Sequence, residues 1–333
     1  MQVAENILEL VGRTPLVKVR NLNPYGCVTI LAKLEMFNPG GSVKDRMAFH
    51  ILSKAEKEGK IQPGDTLVDN TSGNTGIGMA IFAAVRGYRA VMTIPDRMSA
   101  EKINLLRAYG AQVVVCPSDV PITHPESAYN KAKEIAAQTG AFRLNQYHNP
   151  ANSEAHYRTT GPEIWEQTDG KIDFFVAGIG TGGTCSGAGR FLKEKNPRLR
   201  VIAVDPKGSI LKSYIEKGVE IQPVSYKLEG IGSEMVTEAL DRSVIDEVIE
   251  VGDKDAFRTT RELARLEGIL AGGSSGAALW ACLELAQNIR EPKTMVTVFP
   301  DTGLRYLSRY FNDDWMEASG FMTKKQTKPT AVR

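Results

Sequence analysis

The chain has 333 residues, 42% hydrophobic and 24% charged, which provides for a packed core and excludes wholesale disorder. Lys and Arg number 41 against 39 Asp and Glu, a net +2, and Lys324, Lys325, Lys328 and Arg333 in the last twelve residues have no acid among them. A near-neutral body gives no electrostatic ground for nucleic acid as a partner, and no run reaches the ~18 apolar residues of a helical membrane span. At ~150 residues per domain the length predicts about two domains. Cys27, Cys116, Cys185 and Cys282 are dispersed, with no CxxC and no zinc-finger histidine spacing, so neither a disulfide scaffold nor a metal site is expected. Residues 1–10 hold two Glu and no long apolar run, which does not read as a signal peptide, and a cytoplasmic location is expected.

In chain order, Val28–Leu34, Thr66–Val68, Ala90–Ile94 and Gln112–Cys116 are short and rich in Val, Ile and Thr, and read as strands. Between them Asp45–Glu58, Asn74–Arg86 and Ala100–Tyr109 carry apolar residues at helical spacing. The second half continues with strands at Ile172–Ala177, Arg200–Val204, Val248–Val251 and Met295–Phe299, and helices at Thr184–Lys195, Lys254–Glu267 and Ser274–Asn288. This alternation predicts an α/β fold of mostly parallel sheets flanked by helices, in two lobes joined near Asn145–Asn152. The Lys-rich C-terminus reads as a frayed end.

Ligands of open α/β sheets sit beyond the carboxyl ends of strands, which directs attention to four loops. In Asn38-Pro39-Gly40-Gly41-Ser42-Val43-Lys44-Asp45-Arg46, Asp45 is expected to cap the following helix. Lys44 stands at a helix start, where the dipole disfavours an ammonium and favours the depressed pKa that Schiff-base chemistry needs. In Thr71-Ser72-Gly73-Asn74-Thr75-Gly76, hydroxyls, an amide and backbone N–H groups form a cradle for a carboxylate or phosphate. Gly178-Ile179-Gly180-Thr181-Gly182-Gly183-Thr184 has the outline of a strand–loop–helix phosphate site. With Asp205 it also matches a dinucleotide fingerprint, which makes an NAD-dependent dehydrogenase a rival reading. Thr181 and Thr184 suit a terminal phosphate monoester instead. In Ala271-Gly272-Gly273-Ser274-Ser275-Gly276-Ala277, Ser274 reads either as a helix cap or as a hydroxyl partner for a heteroaromatic nitrogen.

Together these loops resemble the fold-type II pyridoxal-phosphate (PLP) enzymes, tryptophan synthase β-like in architecture, and among them the cysteine synthase/cystathionine β-synthase family. The resemblance runs over about Ile7–Phe321. It also includes Gly12-Arg13-Thr14-Pro15, the Gln146-Tyr147 pair and Thr159–Ile164. Ser99-Ala100-Glu101-Lys102, Asp205-Pro206-Lys207-Gly208-Ser209 and Glu229-Gly230-Ile231-Gly232 resemble cystathionine β-synthase more than cysteine synthase. The chain departs at Ser233-Glu234-Met235, where cystathionine β-synthases usually continue Tyr-Asp-Phe, in a loop that shapes the acceptor site in the family.

The resemblance implies that Lys44 forms the Schiff base and acts as catalytic base. It implies that Gly180, Thr181, Gly182, Gly183 and Thr184 hold the phosphate, Asn74 the ring oxygen, and Ser274 the pyridine nitrogen. Ser72, Gly73, Asn74, Thr75, Gln146, Tyr147, Glu229 and Gly230 would bind substrate. The implied organisation is a larger phosphate-binding domain (1–40 and 149–321), a smaller mobile domain (41–148) carrying Lys44 and the carboxylate loop, and a basic tail (322–333). The implied activity is β-replacement on L-serine or O-activated L-serine through an aminoacrylate, with homocysteine as thiol giving cystathionine. The alternative is a cysteine synthase using O-acetylserine or O-phosphoserine with sulfide. Small-molecule amino-acid and thiol substrates, a homodimer and no haem complete the expectation, as does the absence of paired C-terminal regulatory modules.

Overall fold

A computed structural model describes residues 3–323; most of the basic tail, 324–333, lies outside the described residues. The strands are β1 (Leu16–Val19), β2 (Val28–Leu34), β3 (Thr66–Asn70), β4 (Arg89–Pro95), β5 (Gln112–Cys116), β6 (Phe142–Arg143), β7 (Phe174–Gly178), β8 (Arg200–Pro206), β9 (Glu247–Val251) and β10 (Lys293–Phe299). The helices are α1 (Lys44–Lys57), α2 (Asn74–Arg86), α3 (Ala100–Ala108), α4 (Ala128–Thr139), α5 (Ala151–Arg158), α6 (Thr160–Gln167), α7 (Gly183–Lys195), α8 (Leu211–Lys217), α9 (Asp253–Glu267), α10 (Gly273–Ala286) and α11 (Asp313–Ala318).

Two sheets organise them. A six-stranded sheet runs β1-β2-β10-β7-β8-β9 and a four-stranded sheet β5-β4-β3-β6. Every pairing is parallel except β1 with β2, which places the antiparallel strand at an edge. Parallel strands are covered on both faces and so read as unbroken apolar runs, as in Phe174-Phe175-Val176-Ala177. In the large sheet one face packs Val176, Ile202 and Met295 against Phe257 and Leu279 of α9 and α10. The other packs Phe175, Val201 and Val296 against Cys185 and Leu192 of α7. The small sheet buries Leu67 and Met92 against Met47, Ile77 and Phe82 of α1 and α2, while α4 closes its other face over Val68 and Val91.

The parallel arrangement gathers the chemistry-bearing loops. The loop after β3 enters α2, and the loop after β7 enters α7. Pro300-Asp301 at the end of β10 anchors two more. Val43 N donates to the Pro300 carbonyl (2.8 Å), Ser42 bridges to Asp301, and Gly272 N donates to the Asp301 carbonyl (3.0 Å). The segments before α1 and before α10 are therefore stitched to one strand end.

Candidate active site

Lys44 is the first residue of α1, and its half-buried side chain lines a cavity shared with Gly180, Thr181, Gly182, Gly183 and Thr184. Burial pushes its amine below the usual lysine range, opposed by the nearby Asp301 carboxylate. Desolvation thus depresses this amine most strongly. Asp45 does not cap α1, contrary to the sequence expectation: the cap position is Val43, and no side chain bonds there. Asp45 lies inside the first turn, where its carboxylate reaches back to accept from Gly40 N (2.6 Å). A Cβ on Gly40 would stand 2.5 Å from Asp45 Oδ1, so this closure requires the glycine. Burial raises the Asp45 carboxyl to about 7.

The loop before α2 is braced by Thr71, whose hydroxyl accepts from Gly73 N (2.9 Å) and Gly76 N (3.0 Å). The Thr71 hydroxyl thus satisfies an N–H of the first turn of α2, although the cap position itself is Gly73. Gly73 has φ +122°, and a Cβ there would meet Lys102 Cδ at 2.6 Å. The Asn74 amide donates to Asp301 Oδ2 (2.8 Å), and its carbonyl accepts from Arg305 Nη1. Thr75 donates to Gln146 Oε1 (2.8 Å), and Gln146 Nε2 donates to the Asn70 carbonyl (2.9 Å). Ser72 is exposed, beside Tyr147 at the wall of a second cavity. Burial first, then the Asp69 carboxylate, raises the Tyr147 hydroxyl to about 12.

In the third loop Gly182 is left-handed (φ +81°) and α7 starts at Gly183, so the first N–H groups of α7 have no intrahelical acceptor. Thr181 Oγ1 accepts from Asn152 Nδ2 (3.0 Å), which leaves its own proton to donate into the cavity. Thr184 Oγ1 lies 3.2 Å from His156 Nε2, while His156 Nδ1 lies 2.9 Å from Thr160 Oγ1. Burial holds His156 well below its usual range, so it is a neutral ring between two hydroxyls. Close packing enforces the glycines. A Cβ on Gly180 would lie 2.8 Å from the Gly230 carbonyl, and one on Gly183 2.0 Å from Asn152 Oδ1.

Ser274 is buried in the first turn of α10, but the cap is Gly272 and no side chain bonds there, so the capping reading is corrected. Gly273 N donates to Tyr310 Oη (2.7 Å). Glu229 pairs with buried Lys102 (2.6 Å), and exposed Gly230 lines the Lys44 cavity. Sequence reasoning missed Asp301, Arg305, Asn152 and His156, which reach the named loops only through long-range contacts.

The dinucleotide reading is overturned at Asp205. Its side chain is fully buried, its carboxylate accepts from Lys212 N (2.9 Å), and burial raises it to about 7. Among the described residues no group of three or more His, Cys, Asp or Glu could hold a metal ion, and no helix is long and apolar enough to cross a membrane.

Residues 7–301 match the family described as pyridoxal-phosphate dependent enzyme. A cystathionine β-synthase of Apis mellifera is 46% identical over 324 residues, 96% of this chain; the chain spans only 64% of that relative's length. A cysteine synthase of Staphylococcus aureus is 47% identical over 305 residues, 91% of this chain and 96% of its own length. Crystal structures of an O-ureido-L-serine synthase (TM-score 0.86, 38% identity, covering 95% of this chain and 99% of that one) and of a hydrogen sulfide-producing enzyme from Fusobacterium nucleatum (0.84, 36%, 92% and 98%) share the fold. These near-equal identities do not separate the two activities suggested by the motifs. With the lysine, the glycine cradle and the family match in place, the chain belongs to the PLP-dependent enzymes of fold type II.

Proposed function

We propose that the protein is a β-synthase acting on L-serine or an O-activated L-serine, with homocysteine as the thiol and cystathionine as product. The observation that carries this reading is the desolvated amine of Lys44 opening onto the same cavity as the N-terminus of α7. The residues present fit the cofactor. Lys44 would hold it covalently. The N–H groups and hydroxyls of the Gly180–Thr184 loop would receive a dianionic phosphate, which helix N-termini favour. Asn74 would hold the ring oxygen and Ser274 the ring nitrogen. A serine there cannot keep that nitrogen protonated as a carboxylate would, which favours loss of a β-substituent over transamination. When bound, the cofactor supplies an electron sink for the electrons released at the substrate α-carbon.

The rest is work for this chain. Ser72, Gly73, Asn74 and Thr75 present hydroxyl, amide and N–H donors to the substrate carboxylate, and the Thr75–Gln146 hydrogen bond fixes their orientation. Tyr147, Glu229 and Gly230 complete the substrate wall. Lys44, neutral at lower pH than an ordinary lysine, takes the α-proton. In the net reaction the Cβ–O bond of the donor breaks and a C–S bond forms. The thiol proton leaves with the oxygen, as water when the donor is serine. Movement of the smaller lobe, residues 41–148, would exclude water during this exchange. A cytoplasmic homodimer completes the reading, and sedimentation velocity checks the dimer.

The match to the S. aureus cysteine synthase over 96% of that protein supports a second reading, with O-acetylserine or O-phosphoserine as donor and sulfide as acceptor. Incubating the holoenzyme with each of the three donors, paired with homocysteine or sulfide, and weighing the products separates the two. Cystathionine from serine supports the first reading; cysteine alone, from an activated donor, supports the second.

A further inference from the structure

A second cavity, of about 190 Å³, adjoins the carboxylate loop at Thr71 and Ser72. Its walls include Met98, Tyr226 and Met235, and its two charged side chains are Arg97, after β4, and Glu234, in the turn where this chain departs from cystathionine β-synthases. Both are exposed, and neither side chain has an ion-pair partner among the described residues. Both line the same cavity as Tyr226. Burial first, then Asp205 and Glu234, push the Tyr226 hydroxyl up, and Arg97 pulls it down.

The Glu234 turn is built rather than loose. Gly232 N donates to the Ile179 carbonyl (2.6 Å), and buried Ser233 N donates to Ser209 Oγ (3.0 Å). Ser233 Oγ donates in turn to the Met235 carbonyl (2.6 Å). A Cβ on Gly232 would lie 2.4 Å from Tyr226 Oη, so glycine lets the turn pass beneath that ring. Arg309 holds the Arg97 carbonyl, fixing the backbone from which the guanidinium extends. Two opposite charges on braced backbones, in a cavity also walled by methionine and tyrosine, match a zwitterion carrying a short apolar arm. A bare sulfide or a small uncharged thiol would leave both charges unused.

We infer that this cavity receives the second substrate and that Arg97 and Glu234 select an α-amino-acid thiol, Arg97 taking its carboxylate and Glu234 its ammonium group. The inference rests on the β-replacement reading and specifies its acceptor. Both residues determine specificity and take no part in bond breaking. A guanidinium presents paired donors to a carboxylate, which a lysine would not reproduce.

The test measures kcat/KM of the holoenzyme at saturating donor, with L-homocysteine and with sulfide, for wild type, Glu234→Gln, Arg97→Gln and Glu234→Asp. Wild type is expected to turn over with both acceptors. The homocysteine-to-sulfide ratio is expected to fall by about tenfold or more in each glutamine variant, the order for loss of one charge-assisted hydrogen bond. The fall should appear in KM for homocysteine, and Glu234→Asp should recover part of it. Wild-type turnover with both acceptors but ratios unmoved in the glutamine variants overturns this assignment alone. Turnover with sulfide only also overturns it while leaving β-replacement standing. A wild-type enzyme idle with both acceptors overturns the β-replacement reading together with the assignment built on it.

Discussion

Asn74 and Asp301 stand 227 positions apart in the chain, yet the amide of one donates to the carboxylate of the other at 2.8 Å. Asp301 Oδ2 also accepts from Tyr306 Oη (2.7 Å), and a Cβ on Gly272 would lie 2.0 Å from Oδ1. One carboxylate at the end of β10 thus organises the start of α2 and the entry to α10, and supports the charged form of Lys44. Replacing Asp301 by Ala is expected to lower kcat/KM by about ten- to a hundredfold, the range for losing a hydrogen bond to a charged group. Because Asp301 raises the Lys44 amine, the rise of activity with pH should shift to lower pH in the variant. An unshifted profile would separate Asp301 from Lys44.

Burial lowers the pKa of Lys44, so over the window between its folded and unfolded values the unfolded chain binds more protons. The resulting penalty is full at low pH and is relieved as pH rises through that window. Apoprotein carrying Lys44→Met is therefore expected to melt at a higher temperature than wild-type apoprotein at neutral pH, with the gap closing in the alkaline range. Scanning calorimetry at a series of pH values checks both the sign and the convergence.

Glu163 ties three sequence motifs together. It pairs with Arg46 (2.6 Å) and Lys33 (2.7 Å) and accepts from Arg13 N (2.9 Å), while Arg46 also pairs with Glu35 (2.7 Å). Burial alone would raise the Glu163 carboxyl, but Arg46 and Lys33 outweigh it and bring it to about 2. Its contribution is present above the ordinary carboxylate range near 4.5 and is lost as pH falls towards about 2. Glu163→Gln should cost about 3 kcal/mol at neutral pH, the low end for breaking a buried pair, because Glu163 keeps 17% exposure. Denaturant titrations should also show a flatter acid limb in the variant.

Asn152 Nδ2 donates both to Thr181 Oγ1 (3.0 Å) and to the Gln146 carbonyl (2.8 Å), and Gln146 Oε1 accepts from Thr75 (2.8 Å), which links the Gly180–Thr184 loop to the Thr71–Gly76 loop through Gln146. Asn152→Ala should weaken PLP binding by about tenfold, the size of one lost buried hydrogen bond. Equilibrium dialysis against the cofactor measures this directly, and unchanged affinity would show that Thr181 needs no such support.

The fold was legible where apolar residues cluster along the chain. Strands Val28–Leu34 and Gln112–Cys116 and helix Asn74–Arg86 form over the residues their patterns predict. β1 escaped notice because its two central residues, Val17 and Lys18, face solvent, and β6 because it is only two residues long. α6 carries Pro162 in a sequence that looks helix-breaking, yet proline is tolerated in a first turn, where no intrahelical bond is lost. In the site, the loops were legible because glycines, hydroxyls and Lys44 fall within a few residues of one another. Asp301, Arg305 and Asn152 were not, because their partners lie far along the chain and only the sheet order brings them together. Asp205 misled for a different reason: spacing says nothing about burial, and its side chain is fully buried.

The most direct test reduces the purified holoenzyme with borohydride, digests it and maps the cofactor mass onto its peptides. The cofactor is expected on the peptide containing Lys44, and to be absent there in Lys44→Ala. Cofactor found on Lys33 or Lys102, or no covalently held cofactor in a protein that still turns over, would contradict the account.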